Sequence, residues 1–201
     1  MNPIYVHHIT PFMDGDIVGG INKAIENLPD DAIICLRDAD TLFLLPNQQE
    51  QVDHLARMYI QSGEYDVISC MTNRLSSKQS HQLYLGERSD NTDIIEHMCI
   101  AADLQSMKYL NVKPVSEGKI VAGILLMFKK SLIKEIPMLQ RSVQFDIIWS
   151  RELHNKNKKI GIAEGLYLWH TYRLGSKDPE KALGHLIKAQ DFDLVITLGE
   201  S

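Results

Sequence analysis

Apolar and polar residues follow one another along this chain in blocks that predict strands and helices in turn. Short apolar runs at 32–36 and 66–71 have the length and composition of buried strands. Apolar residues recur at helical spacing in 17–27, 93–110 and 145–155. Strands that alternate with helices predict an α/β fold, with a mixed, mostly parallel sheet flanked by helices. The other predicted elements are strands at 4–9, 119–128 and 159–163 and helices at 46–61 and 178–189.

Length and composition predict one globular domain over residues 1–201. A chain of 201 residues is long enough to bury a sizeable core, and its 44% hydrophobic and 23% charged residues are an ordinary globular balance. The formal net charge of -5 argues against nucleic acid as a partner, because a polyanion is bound by clustered Lys and Arg.

Two features of the composition predict a cytoplasmic protein. No stretch reaches the ~20 apolar residues of a transmembrane segment, and the N-terminus lacks the pattern of a secretory signal. Cys35, Cys70 and Cys99 are widely spaced and odd in number, so we expect reduced thiols rather than a disulfide framework.

Two aspartates follow the predicted strand at 32–36. Asp38 and Asp40 are one residue apart, and apolar residues 42–45 come directly behind them. Ligands of open α/β sheets bind beyond the carboxyl ends of the strands, where a pair of carboxylates can hold a hard divalent cation. An exposed turn or a helix N-cap is the alternative, because Asp is common in both. The buried structure on both sides favours a metal site.

Three separated blocks resemble GT-A-fold glycosyltransferases. The first, 21–43, has a helix with Asn22, a strand and the Asp-x-Asp motif. The second, 120–131, resembles the family's Gly-containing strand that ends in basic residues. The third, 145–170, resembles its closing helix, last strand and His. The order and spacing of the blocks carry the resemblance, which covers roughly residues 4 to 172.

The resemblance implies transfer of a sugar from a nucleotide-sugar donor to an unknown acceptor with Mn²⁺ or Mg²⁺. In the family, the second aspartate, here Asp40, usually binds the metal directly, while the first, here Asp38, often contacts ribose or an ordered water. His170 is then the candidate third ligand. Asp146 matches the position of the catalytic base, although it could instead be the N-cap of the helix that follows.

Donor contacts are predicted at three further residues. Arg37 lies beside the aspartates and suits phosphate recognition, while Asn22 and Thr10 are in the short stretch before the motif. That stretch has room for one strand and one helix, where the family has about two or three strands that hold the nucleobase. The chain is therefore a minimal enzyme, a member with unusual donor contacts or a relative that has lost catalysis. The polar segment 76–91 is a candidate lid.

Two other functions fit the same residues. A catalytically silent binding module would keep the fold and recognise a sugar, a nucleotide or a protein. A metal-dependent nucleotidyl or phosphoryl transferase would use the paired aspartates, which serve those reactions as well. Turnover distinguishes the first alternative from a glycosyltransferase, and the released product distinguishes the second.

Overall fold

A computed structural model of the protein describes residues 5–11, 13, 15–75, 81–89, 91, 93–139 and 144–171. The strands within these residues are β1 (Val6–Ile9), β2 (Ile33–Arg37), β3 (Thr41–Leu42), β4 (Val67–Thr72), β5 (Val112–Pro114), β6 (Leu125–Lys129) and β7 (Ile160–His170). The helices are α1 (Ile17–Ile25), α2 (Gln48–Leu55), α3 (Ile94–Lys108), α4 (Lys130–Glu135) and α5 (Phe145–Asn155), and α2 continues as a π-helix over Ala56–Gln61. None of the helices in the described part of the chain is both long and apolar enough to span a bilayer.

All the described strands belong to one sheet, in the order β1-β2-β6-β4-β7-β3, with β5 also paired to β7. Strands β1, β2, β4 and β7 run in one direction, whereas β3, β5 and β6 run in the other. The prediction of an α/β fold with a mixed, mostly parallel sheet flanked by helices is confirmed. The central strands β2 and β6 are mostly buried and apolar because both faces of the sheet are covered there.

Alternate side chains of each central strand enter different cores. Ile34 and Leu36 of β2 face a core that α1, α4 and α5 cover. Ile33 and Cys35 face the opposite core, under α2 and the π-helix. Helix α3 packs a smaller cluster against the far part of β7. Cys35 and Cys70 are buried, and all three cysteines are free, as predicted.

Several predicted boundaries differ from the structure. The strand predicted at 119–128 begins only at Leu125, so Gly123 lies in a turn before it. The strands β3 and β5 and the helix α4 were not predicted, because two to six residues are too few to set a period. The helix predicted at 178–189 lies outside the described residues, as do residues 76–80 and 90 of the candidate lid.

A bulge in β7 shifts its register against β4. Cys70 pairs with Ala163, but the next residue of β4, Met71, pairs with Tyr167. The backbone of the extra residues is satisfied by two buried glutamines of α2. Gln51 donates from Nε2 to the Gly165 carbonyl at 2.9 Å, and Gln48 donates from Nε2 to the Tyr167 carbonyl at 2.6 Å. These two hydrogen bonds give partners to buried carbonyls that the bulge would otherwise leave unpaired.

Glycine is required within the bulge. A Cβ added at Gly165 would lie 2.3 Å from the backbone oxygen of Lys108, at the end of α3. The backbone oxygen has no freedom to move away, because Lys108 belongs to the helix. Close packing of α3 against β7 therefore depends on the missing side chain at this position.

Substitution of Gln48 tests the bulge. Gln48 also accepts from the backbone nitrogens of Leu44 at 2.6 Å and Leu45 at 2.9 Å. Gln48→Leu leaves these groups and the Tyr167 carbonyl without partners, so we expect a loss of roughly 2–4 kcal/mol in urea unfolding. The neighbouring Gln49 is exposed, and Gln49→Leu should change stability by less than about 0.5 kcal/mol. Equal effects of the two substitutions would contradict this account of the bulge.

Candidate metal centre

Three predicted ligands meet at one point although His170 is distant in sequence from the aspartates. Potential ligand atoms of Asp38, Asp40 and His170 all lie within 4.8 Å of one another. Nε2 of His170 is 3.2 Å from Oδ1 of Asp40. The aspartates follow β2, and His170 is the last residue of β7, so the site lies at the carboxyl ends of parallel strands.

Pairing between β3 and β7 brings the ligands together. Thr41, directly after Asp40, is opposite His170 in the antiparallel ladder. Thr171 donates from its backbone nitrogen and from Oγ1 to the Asp40 carbonyl, both at 2.9 Å. Thr41 donates from Oγ1 to the Asp38 carbonyl at 2.8 Å. The backbone of the Asp-x-Asp motif is thus held at both aspartates.

The orientation of the His170 ring is set by its neighbours. Nδ1 lies 2.7 Å from the backbone oxygen of Arg74, which only accepts, so Nδ1 carries a proton and donates. In the neutral ring, Nε2 then has a free electron pair directed towards the aspartates. The Asn73 side chain accepts from the His170 backbone nitrogen at 2.8 Å and donates to its carbonyl at 3.3 Å. A hydrogen bond at the other nitrogen is the usual support for a metal-binding histidine.

Negative charge is confined in this site. The pKa of the Asp38 carboxyl is raised to about 6, chiefly by burial and then by the nearby charges of Asp40 and Asp146, while His170 acts in the opposite direction. Burial by itself lowers the pKa of His170, but the hydrogen bond and charge of Asp40 outweigh burial, and the net pKa is raised. A cation among these groups would relieve the repulsion between the carboxylates.

The side chains present fit a divalent metal ion. Two carboxylates supply hard oxygen ligands and the imidazole supplies a nitrogen, a mixture that several divalent cations accept. Three protein ligands leave coordination positions open for a substrate or water. The group formed by Asp38, Asp40 and His170 can therefore hold a metal ion.

A cleft of about 1150 Å³ opens beside the three ligands and also reaches Asp146. Asp146 is the second residue of α5, whose N-cap is Gln144, so the alternative of Asp146 as the N-cap is wrong. Its Oδ2 accepts from the Gly123 backbone nitrogen at 2.9 Å, and its Oδ1 accepts from that of Ile147 at 2.8 Å. Burial raises the pKa of Asp146, while these hydrogen bonds act in the opposite direction.

The predicted donor contacts lie away from this cleft. Arg37 is directed over the ring of Phe43, with its Cζ atom 4.9 Å from the ring centroid. Thr10, one residue after β1, and Asn22, on α1, are both exposed. Neither they nor Arg37 are among the residues that line the cleft. The donor contacts of Arg37, Thr10 and Asn22 stay predictions.

The described part of the predicted lid is anchored to the sheet. Gln82 and Leu83 are buried, and Thr72 exchanges backbone hydrogen bonds with this segment at 2.7 Å and 3.0 Å. The Gln82 side chain donates to Ser69 Oγ at 2.7 Å and accepts from the Ala122 backbone nitrogen at 2.7 Å. Opening of Gln82 and Leu83 would break these buried hydrogen bonds, which disfavours a lid that moves them, and the lid stays a prediction.

Some functional contacts escaped the sequence analysis. Asn73 and Arg74 directly follow β4. The Asn73 side chain and the Arg74 carbonyl hold His170, a role for which the sequence gives no signal. Gln82 had no signal in the sequence, because a polar residue in a polar segment does not reveal its burial.

The sequence was compared with known proteins. No protein-family model matches the chain, and no curated protein matches it.

Asp38→Asn should stabilise the metal-free protein at about pH 8. The pKa of Asp38 is about 6 in the folded chain against an ordinary 3.8, so its contribution to stability is full below pH 3.8 and is lost as the pH rises through 6. One unit of pKa corresponds to about 1.4 kcal/mol. We expect a gain of about 1–3 kcal/mol in urea unfolding with EDTA, shrinking towards about pH 5.

The control for this measurement is Asp103→Asn, which neutralises an exposed carboxylate on α3. Its effect on stability should be within about 0.5 kcal/mol at either pH. A loss of stability in Asp38→Asn, or an equal gain in the control, would contradict the raised pKa of Asp38.

Proposed function

We propose that this protein is a glycosyltransferase that moves a sugar from a nucleotide-sugar donor to an acceptor hydroxyl with Mn²⁺ or Mg²⁺. The observation that carries the proposal is the meeting of all three resembling blocks at one cleft. Asp38 and Asp40 come from the first block, Gly123 from the second, and Asp146 and His170 from the third. Blocks that are separate in sequence thus supply the charged side chains of one cleft, which supports the proposal.

Charge accounts for the roles of the residues. Breaking the glycosidic bond leaves negative charge on the diphosphate, and a bound divalent metal stabilises that charge. Asp38, Asp40 and His170 would hold the metal, and the hydrogen bond from His170 to the Arg74 carbonyl keeps Nε2 available for it. The mixed oxygen and nitrogen ligands are compatible with Mn²⁺, and the carboxylates with Mg²⁺.

Asp146 would accept the proton of the attacking hydroxyl. Its carboxylate lines the same cleft as the metal ligands and is near enough to Asp38 for its charge to raise the pKa of that residue. The raised pKa of Asp146 makes it a better proton acceptor than an ordinary carboxylate. Backbone hydrogen bonds from Gly123 and Ile147 fix its direction.

Removal of one metal ligand tests the cation and the donor together. Mn²⁺ at about 100 times its Kd should stabilise the wild type by about 2.7 kcal/mol, and a nucleoside diphosphate should add to this only when Mn²⁺ is present. Asp40→Asn keeps the shape of the side chain but loses its charge, so both effects should disappear. The exposed Asp103→Asn should retain them. Mn²⁺-dependent nucleotide binding that survives in Asp40→Asn would exclude the metal site from donor binding.

The product identifies the reaction. A panel of nucleotide sugars with Mn²⁺ should yield free nucleoside diphosphate, by transfer or by slow hydrolysis of the donor. Release of pyrophosphate or phosphate would instead indicate a nucleotidyl or phosphoryl transferase. Binding of a donor without any release of product would indicate a silent binding module.

Asp146→Asn tests the catalytic base. If Asp146 takes the acceptor proton, transfer should fall by about 100-fold or more while donor affinity stays within about twofold. Ser150→Ala is the control, because Ser150 Oγ accepts from the Val121 backbone nitrogen at 3.2 Å and so supports the same loop as Asp146 without supplying a base. Equal losses in the two variants would make Asp146 a positioning residue. A rate that does not rise with pH in the wild type would also argue against a base.

A further inference from the structure

The cleft beside the metal centre has opposite charges at its two ends. Asp38, Asp40 and Asp146 lie at one end. The side chains of Lys108, Lys113 and Lys119 line the other. Such a concentration of lysines is notable in a chain whose formal net charge is -5. The charge at the lysine end cannot serve the metal, which requires anionic or neutral ligands.

Register along the sheet measures how far apart the two ends are. Lys113 of β5 is paired with Ile162, near the start of β7. Ile162 is opposite Ser69, and Leu168 is opposite Thr72. Because of the bulge, the stretch of β7 from Ile162 to Leu168 is therefore only as long as three residues of β4. Two further residues lead from Leu168 to His170. Lys113 and His170 are therefore separated along the sheet by the length of five strand residues, or roughly 17 Å between Cα atoms.

Helix α5 gives a second estimate for Lys119. The Lys119 carbonyl lies 2.7 Å from Nε2 of His154, whereas Asp146 is at the other end of the same helix. A rise of about 1.5 Å per residue puts these two helix positions about 12 Å apart. The backbone of both lysines therefore lies at a distance from the candidate metal ligands.

Two of the lysines keep their charge available. Lys108 is paired with Glu164 at 3.0 Å, and Glu164 also accepts from the Asn111 amide at 2.5 Å. Lys113 and Lys119 are exposed, and within the described ranges neither has an ion-pair partner. The Lys119 backbone is held by the contact of its carbonyl with His154. The cleft thus presents two free ammonium groups next to a neutralised ion pair.

We propose that Lys113 and Lys119 form an anion-binding subsite for the acceptor. The acceptor would carry a phosphate or carboxylate group roughly 10–20 Å from the hydroxyl that reacts, which implies a molecule longer than one sugar. This inference rests on the proposed glycosyl transfer. The oxyanion is recognised by charge, because lysine ammonium groups bind phosphate and carboxylate alike.

The donor is a poorer candidate for the same lysines. Its anionic part is the diphosphate, which must contact the metal held by Asp38, Asp40 and His170. With Cα atoms roughly 17 Å apart at Lys113 and His170, a diphosphate held by the metal is a poorer fit to the Lys113 ammonium group than a longer ligand is. The other parts of a nucleotide sugar, the nucleoside and most sugars, are uncharged and gain nothing from ammonium groups.

Calorimetric titration of the full chain in EDTA tests the subsite without the metal. The ligands are tetragalacturonate, which carries carboxylates, neutral maltotetraose of the same length, and inorganic tripolyphosphate. We expect tetragalacturonate, tripolyphosphate or both to bind at least about tenfold more tightly than maltotetraose, with affinity falling as salt is added. Whichever anion binds identifies the carboxylate or phosphate as the preferred group.

Matched variants assign the binding to the cleft. Lys113→Gln/Lys119→Gln should lose about tenfold in affinity for the anion. Lys23→Gln/Lys156→Gln removes the same charge from exposed residues outside the cleft and should change affinity by less than about twofold. Equal losses in the two double variants would overturn the subsite, as would anions that bind no better than maltotetraose at up to about 10 mM.

Two further outcomes separate the subsite from the proposed function. Asp40→Asn should abolish transfer and leave anion binding unchanged, because the metal ligands are remote from the lysines. If the wild type binds the anion but transfers no sugar, the proposed glycosyl transfer is wrong and the anion-binding site stands. Loss of nucleotide-sugar binding in Lys113→Gln/Lys119→Gln would assign the lysines to the donor and overturn the acceptor subsite.

Discussion

The register of β7 is the constraint on which the metal centre depends. This strand must pair with β4 along its first part and still end beside Asp40. The bulge between Ala163 and Tyr167 makes both possible, because it takes up the extra residues between two adjacent partners on β4. Its cost is a set of buried carbonyls outside the ladder, and the side chains of Gln48 and Gln51 satisfy them. These two buried polar side chains therefore fix the path of the β7 backbone, and they do not add to the apolar packing of the core.

The turn before β6 also fixes the geometry of the cleft, because its backbone bonds to both Asp38 and Asp146. Ile124 accepts from the Asp38 backbone nitrogen at 3.0 Å, and Gly123 donates to the Asp146 side chain at 2.9 Å. A Cβ at Gly123 would lie 2.9 Å from the Phe145 ring, so glycine permits this approach. Gln82 holds the turn from the other side through Ala122. The proposed metal ligand and the proposed base are therefore coupled through one short stretch of backbone.

Electrostatics distinguish the two ends of the cleft. At the candidate metal centre, partial burial, together with the charges of Asp40 and Asp146, raises the pKa of Asp38 to about 6. A site that is unfavourable until a cation binds converts metal affinity into stability of the folded chain. At the lysine end, the charges are exposed and Glu164 offsets only Lys108. Such groups contribute little to folding, so their position in the cleft is better explained by a ligand than by stability.

The sequence by itself determined the α/β class, the strand before Asp38 and the limits of α5, because short apolar runs and helical periodicity are local signals. It also identified Asp38, Asp40 and His170 as candidate ligands, which the fold brings together. Only the tertiary structure decided the pairing of the short strands β3 and β5, the bulge in β7 and the burial of Gln82. Each of these depends on hydrogen bonds between residues far apart in sequence, so no local pattern encodes it. The lysine end of the cleft has the same origin, since Lys108, Lys113 and Lys119 become one surface only when α3, β5 and the following loop pack beside β7.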